Sequence, residues 1–156
     1  MEGRRLGETR NGSIWRRNEF YLGTWNVLSL YRAGALRILL DQIDKYKIGI
    51  IAIQEVCWTG QGVLEKRDRA VFYSCDERQH LLGVGFVVKK NFKHLVMDCN
   101  TISTRICTLR IKGKIFNYTI INVHAPTEVS AEEEKESFYD LLQKTYEENR
   151  SCDEEI

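Results

Sequence analysis

Residues 20–55 read FYLGTWNVLSLYRAGALRILLDQIDKYKIGIIAIQE, and the fold follows from how this string divides. Phe20 to Val27 is rich in aromatic and β-forming residues, which predicts a strand. Ala35 to Tyr46 places Leu36, Leu39, Leu40 and Ile43 at i, i+3, i+4 and i+7, the apolar stripe of an amphipathic helix. Ile48 to Gln54 is an almost unbroken apolar run between Lys47 and Glu55, as expected of a strand covered on both faces. Strand, helix and strand within about 35 residues is the spacing of a βαβ unit. Strands joined in this way run parallel, so their carboxyl ends share one edge, the edge outside which ligands bind in open α/β sheets. Asn26 closes the first strand, and Gln54 and Glu55 close the second. The unit therefore sets a carboxamide beside a carboxylate.

Downstream the chain reads mostly as β. Gly83 to Lys89, His94 to Asp98, Arg105 to Ile111 and Ile115 to Val123 resemble strands, and Lys112-Gly113-Lys114 between the last two predicts a hairpin turn. Alternation puts Tyr118, Ile120, Asn122 and His124 on one face and Thr119, Ile121 and Val123 on the other. Pro126 ends that strand by removing a ladder donor. Ser130 to Glu147 reads as a helix, with Ser130 and Glu133 as a capping box and Phe138, Leu141, Leu142 and Thr145 as its buried stripe. Residues 1–19 are expected to be a flexible basic arm, residues 20–148 one domain, and residues 149–156 an acidic tail.

At 156 residues, 43% hydrophobic and 29% charged, the chain can build a globular core and is neither disordered nor collagen-like. Without an apolar run of about 18 residues, no membrane helix is expected, and no apolar stretch follows the N-terminal arginines to make a secretory signal. The odd count of five cysteines, with no C-x-x-C pair, argues against a disulfide framework or zinc knuckle. The expected compartment is nucleus or cytoplasm. Charge divides unevenly: residues 1–127 carry 20 Lys+Arg against 11 Asp+Glu, and residues 128–156 carry 3 against 11. A basic body suits a polyanionic partner. No GxGxxG or Walker string is present, which excludes a nucleotide cofactor in the usual folds.

Three side chains stand where chemistry is possible. Glu55 ends an apolar strand and must be solvated, paired or bound to a cation. A hard divalent ion takes one or two carboxylates, with water and phosphate completing its shell. Asn26 serves either as a turn former or as a site amide. His124, ahead of Ala125-Pro126, is either structural or able to reach a phosphate oxygen. Gly83 and Gly85 inside a strand suggest close backbone approach.

Taken in order, Gly23-Thr24-Trp25-Asn26-Val27, Ile53-Gln54-Glu55, Gly83-Val84-Gly85-Phe86 and Asn122-Val123-His124-Ala125-Pro126-Thr127 resemble the endonuclease/exonuclease/phosphatase superfamily. Within it the chain looks most like the apurinic-type endonuclease domain of non-LTR retrotransposons, in the branch labelled craniofacial development protein 2-like. The similarity runs from about Tyr21 to Gln143. The resemblance implies a partial four-layer α/β sandwich: two packed mixed β-sheets flanked by helices. It implies that Asn26 and Glu55 bind Mg²⁺ (Mn²⁺ as an alternative), that His124 donates a hydrogen bond to the scissile phosphate, and that DNA is the partner. Arg105 and Trp58 would line the groove, although a packing role suits Trp58 as well.

The family's second half has no counterpart here. No Gly-Asp-x-Asn string follows the helix, and none of the seven aspartates precedes a histidine. The sequence is read as the amino-terminal part of such a domain, with its C-terminal part missing. Two readings follow: a Mg²⁺-dependent endonuclease-like domain with little or no activity of its own, or a non-catalytic remnant that binds nucleic acid.

Overall fold

Residues 3–5 and 21–151 are described by the computed structural model, with the side chains of residues 3–5 and 151 left aside. Gly3–Arg5 form a short strand, β1, antiparallel to β2, Tyr21–Asn26. The rest of the expected arm, and the expected tail from residue 152 onward, lie outside the described residues.

The βαβ unit forms as the sequence predicts. Helix α1 spans Ala35–Lys45, and its Leu39, Leu40 and Ile43 are buried. Gly34 enters it at φ +83°, a left-handed conformation that suits glycine. Strand β3, Ile48–Gln54, is buried throughout and pairs parallel with β2. The register moves from Tyr21↔Ile48 to Leu22↔Ile50, so Gly49 is an extra residue at the start of β3. As a result Ile48, Ile51 and Ile53 all pack on the α1 side, while Ile50 and Ala52 face the other way.

The order of the larger sheet is β1-β2-β3-β6-β5-β4, where β4 is Gln61–Lys66, β5 Arg69–Ser74 and β6 Val84–Lys89. The β4–β5 hairpin has no clear signal in the sequence, because β4 is an edge strand with no buried position and hence no alternation. Lys90–Lys93 then form a short helix, α2, that buries Phe92. That turn delays the next strand to Val96–Thr101, β7, about two residues beyond the expected start at His94. Strands β8, Ile106–Ile111, and β9, Tyr118–Val123, complete a second, antiparallel sheet ordered β7-β8-β9. Their connection is longer than the expected turn. Gly113 donates to Asn117 Oδ1, and a Cβ on Gly113 would collide with the Phe116 carbonyl, so Ile115 and Phe116 stay in an exposed loop.

The second sheet covers only part of the first: β9 lies over β3, β8 over β6 and β7 over β5. Ile50, Ala52, Val84, Phe86 and Val88 from the large sheet meet Cys107, Leu109 and Ile111 from the small one. Burying each large aliphatic side chain contributes about 1.5–3 kcal/mol, so this layer and the α1 layer hold the fold together. Helix α3, Glu132–Ser151, buries Phe138 and Thr145, with Leu141 and Leu142 half-buried. The capping box does not form: Ser130 Oγ contacts Thr127 Oγ1, and the Ala131 carbonyl accepts the N–H of Lys135 instead. The outcome is the two-sheet α/β sandwich with helices that the resemblance implied.

Arg69 is the largest fully buried side chain. Its Nε and Nη2 donate to Asp44 Oδ1 at 3.1 and 2.7 Å, and its Nη1 donates to the Ile48 carbonyl at 2.9 Å. It thus pins the end of α1 to the start of β3. Replacing Asp44 by alanine leaves the buried guanidinium without its half-exposed counter-charge, which should cost about 1–3 kcal/mol. A urea midpoint that Asp44→Ala leaves unmoved would show that this pin is dispensable.

Candidate active site

Pairing of β2 with β3 does not stop where the strands do. Val27, Ser29 and Leu30 donate their N–H groups to the carbonyls of Gln54, Glu55 and Val56. The two chains therefore leave the sheet side by side, and Asn26 Nδ2 donates to Glu55 Oε1 at 2.8 Å. A regular strand would turn Glu55 away from Gln54, but Glu55 has φ +57°. That left-handed kink brings the carboxylate to the amide. Asn26 Oδ1 accepts the N–H of Leu28, closing an Asx turn that fixes the amide plane.

His124 arrives from the other sheet. Its Nε2 lies 3.4 Å from Glu55 Oε1, so all three side chains meet at one rim. Two residues earlier, on the same face of β9, Asn122 crosses between the sheets. Its Nδ2 donates to the Ile53 and Gly85 carbonyls, and its Oδ1 accepts Gln54 Nε2 at 2.7 Å. Gln54 also donates to Thr24 Oγ1. Gly85 also lets β5 approach closely, because a Cβ there would strike the Phe72 carbonyl. The network joins β2, β3, β6 and β9 directly beneath the rim. The sequence offered Gln54 and Asn122 only as neighbours of candidate residues; the pairing of two inward amides on facing strands was the available signal.

Backbone strain gathers at the same place. Of the seven non-glycine residues with positive φ among those described, Leu28, Ser29, Glu55, Cys57 and Leu82 belong to the loops around the rim. Such conformations cost of order 1–3 kcal/mol each and concentrate at functional sites. A cavity of about 470 Å³ opens there, lined by Glu55, Cys57, Gln79, Leu81 and Leu82 among others.

The two expected groove residues are engaged within the fold. Arg105 donates from Nη1 to the His124 carbonyl and from Nη2 to Glu134 Oε1 at 2.7 Å, tying the end of β9 to the first turn of α3. Trp58 donates its indole N–H to the Leu30 carbonyl, packs on the α1 core and meets Tyr73 edge to face. Both act on the site by holding its loops.

The donor set suits a hard cation in part. Glu55 and Asn26 offer oxygen, as Mg²⁺ and Mn²⁺ prefer, and Glu55 Oε2 makes no hydrogen bond among the described residues. No cluster of three or more His, Cys, Asp or Glu able to hold a metal exists among those residues. An ion here would depend on water and phosphate for most of its shell. His124 Nδ1 is buried without a partner, an uncompensated polar atom next to the site.

Residues 23–154 match the family described as the Endonuclease/Exonuclease/phosphatase family. The chain is also similar to two proteins named craniofacial development protein 2. One, from Tragulus javanicus, is 36% identical over 127 residues, and one from Bos taurus is 35% identical over 127 residues. Each alignment covers 81% of this chain but only 22% and 21% of the relative. The chain thus spans about a fifth of the length of these relatives.

If Asn122 sets the rim, Asn122→Leu should lower stability by about 3 kcal/mol through the buried groups it leaves unpaired. It should also shift the amide resonances of Glu55 and Val56. Unchanged resonances there would show that the bridge does not position the site.

Proposed function

The chain belongs to the endonuclease/exonuclease/phosphatase family, and we propose that Asn26, Glu55 and His124 form one half of a Mg²⁺-dependent site for phosphodiester hydrolysis in nucleic acid, with DNA as the partner. The observation that carries this reading is the convergence of Asn26 and His124 on Glu55 Oε1 at a strained rim. The family generally uses divalent metals. Bound Mg²⁺, or Mn²⁺ in its place, supplies a Lewis acid that stabilises charge on the phosphoryl and leaving oxygens.

The protein's own part is positioning. Glu55 and Asn26 would hold the ion through oxygen, with the Leu28 N–H fixing the amide. His124, steadied through its carbonyl by Arg105, presents Nε2 for a hydrogen bond to a phosphate oxygen. The excess of Lys and Arg through residue 127 supplies a salt-sensitive attraction to the backbone. A nuclear or cytoplasmic setting agrees with the chemistry of the thiols. Cys57, Cys75, Cys99 and Cys107 are free thiols. Origin in a retrotransposon endonuclease is part of the same proposal.

A second reading has its own observation. No group of three or more His, Cys, Asp or Glu able to hold a metal gathers at Glu55 among the described residues. Lacking a general base for the attacking water costs about 10²–10⁴ in rate. The alternative is a non-catalytic nucleic-acid-binding remnant.

Nicking of supercoiled DNA with Mg²⁺ separates the two. We expect slow nicking that chelation and Glu55→Ala both abolish. Equal nicking by Glu55→Ala removes Glu55 from the mechanism. Absence of nicking, with DNA binding that weakens steeply as salt rises, supports the remnant.

A further inference from the structure

We propose that Tyr31 and His80 form a stacking platform for an unpaired nucleobase beside the phosphodiester site. The site then favours single-stranded or locally opened nucleic acid over intact duplex. This inference rests on the nucleic-acid reading above and adds to it a strand preference and two residues.

The platform is a pair of exposed rings. Tyr31 is 60% exposed, and its ring centroid lies 4.0 Å from that of His80 at an interplanar angle of 39°. Neither ring belongs to the core. Both are nevertheless held to the rim. Tyr31 N–H donates to Ser29 Oγ, and the N–H of Ser29 in turn donates to the Glu55 carbonyl. His80 Nδ1 lies 3.1 Å from the Cys57 carbonyl, two residues beyond Glu55. The chain thus fixes a solvent-facing aromatic pair to the backbone that carries the carboxylate.

The neighbouring cavity extends the platform towards the chemistry. His80 stands between Gln79 and Leu81, which line the cavity of about 470 Å³ together with Glu55. That volume lies within the range of small-molecule sites. Its wall combines the apolar side chains of Leu81 and Leu82 with the polar groups of Gln79 and Asp76. A nucleobase has this same division: apolar faces for stacking and a polar edge for hydrogen bonds. Because Glu55 lines this cavity and His80 is flanked in the chain by two of its lining residues, a base stacked on the Tyr31–His80 pair would lie near the phosphate that Glu55 would address.

Duplex stacking excludes the alternative substrate geometry. A base inside a helix has both faces covered by its neighbours, so it can meet Tyr31 only after leaving the stack, which costs unpairing energy. An unpaired base has no such cost, and stacking on an aromatic ring tolerates any sequence.

The test is binding without metal, so that catalysis does not enter. A short single-stranded oligodeoxynucleotide carrying 2-aminopurine is titrated with the full chain in EDTA at low salt, beside the corresponding duplex. We expect 2-aminopurine fluorescence to change on binding. Tyr31→Ala should weaken single-strand binding by about tenfold, the scale of one lost stacking contact, while Tyr31→Phe binds as the wild type and duplex binding stays unchanged. Equal single-strand affinity of Tyr31→Ala and wild type overturns the platform and leaves the nucleic-acid reading standing. An equal loss for single strand and duplex overturns it too, since that marks general damage. No binding of either form by the wild type overturns both.

Discussion

Parallel pairing of β2 with β3 is the constraint on which the rest depends. Its register aligns Asn26 with Gln54, and the pairing runs on past the strand ends to Leu30 and Val56. Shifting that register by one residue would reverse the faces of every β3 side chain. Ile51 and Ile53 would leave α1, and Gln54 would lose Asn122. The same hydrophobic burial that fixes the core therefore fixes the distance between an amide and an acid at the rim. A polar site obtains its precision from apolar packing several residues away.

The junction between the sheets adds a second layer of control. Buried amides are costly unless fully bonded, and here Gln54 and Asn122 satisfy one another and two strand carbonyls. This bridge is the polar counterpart of the apolar layer beneath it, and it determines where β9 delivers His124. Arg105 continues the chain of positioning from His124 to α3. Thr24 and Asn26 at the end of β2 are exposed, and so open to whatever binds there.

Legibility in the sequence followed the strength of periodicity. Ala35–Lys45 and Ile48–Gln54 were readable because both carry dense apolar patterns whose periods differ. Asn26 and Glu55 were readable as a pair because a βαβ unit places strand ends together. Three kinds of feature were not. The edge strand Gln61–Lys66 buries nothing and so shows no pattern. The Ser130–Glu133 box had the right residues, but the Thr127 hydroxyl engaged the Ser130 side chain. Left-handed turns at Glu55 and Cys57 occur without glycine, so no residue type announces them. The resemblance named Trp58 and Arg105 as groove residues, but their partners, the Leu30 carbonyl and Glu134, are distant in sequence and carry no local signal.

The proposed site would hold a divalent ion through oxygen atoms of Glu55 and Asn26, not through the Asn26 amide nitrogen that bonds Glu55 Oε1. Paramagnetic broadening by Mn²⁺, followed on the backbone amides of the whole chain, addresses this without requiring turnover. Substoichiometric Mn²⁺ should broaden the amides of Asn26, Leu28, Glu55 and Val56 first, and Glu55→Gln should abolish the effect. Broadening centred instead on the acidic first turn of α3, Glu132–Glu134, or undiminished in Glu55→Gln, would contradict it.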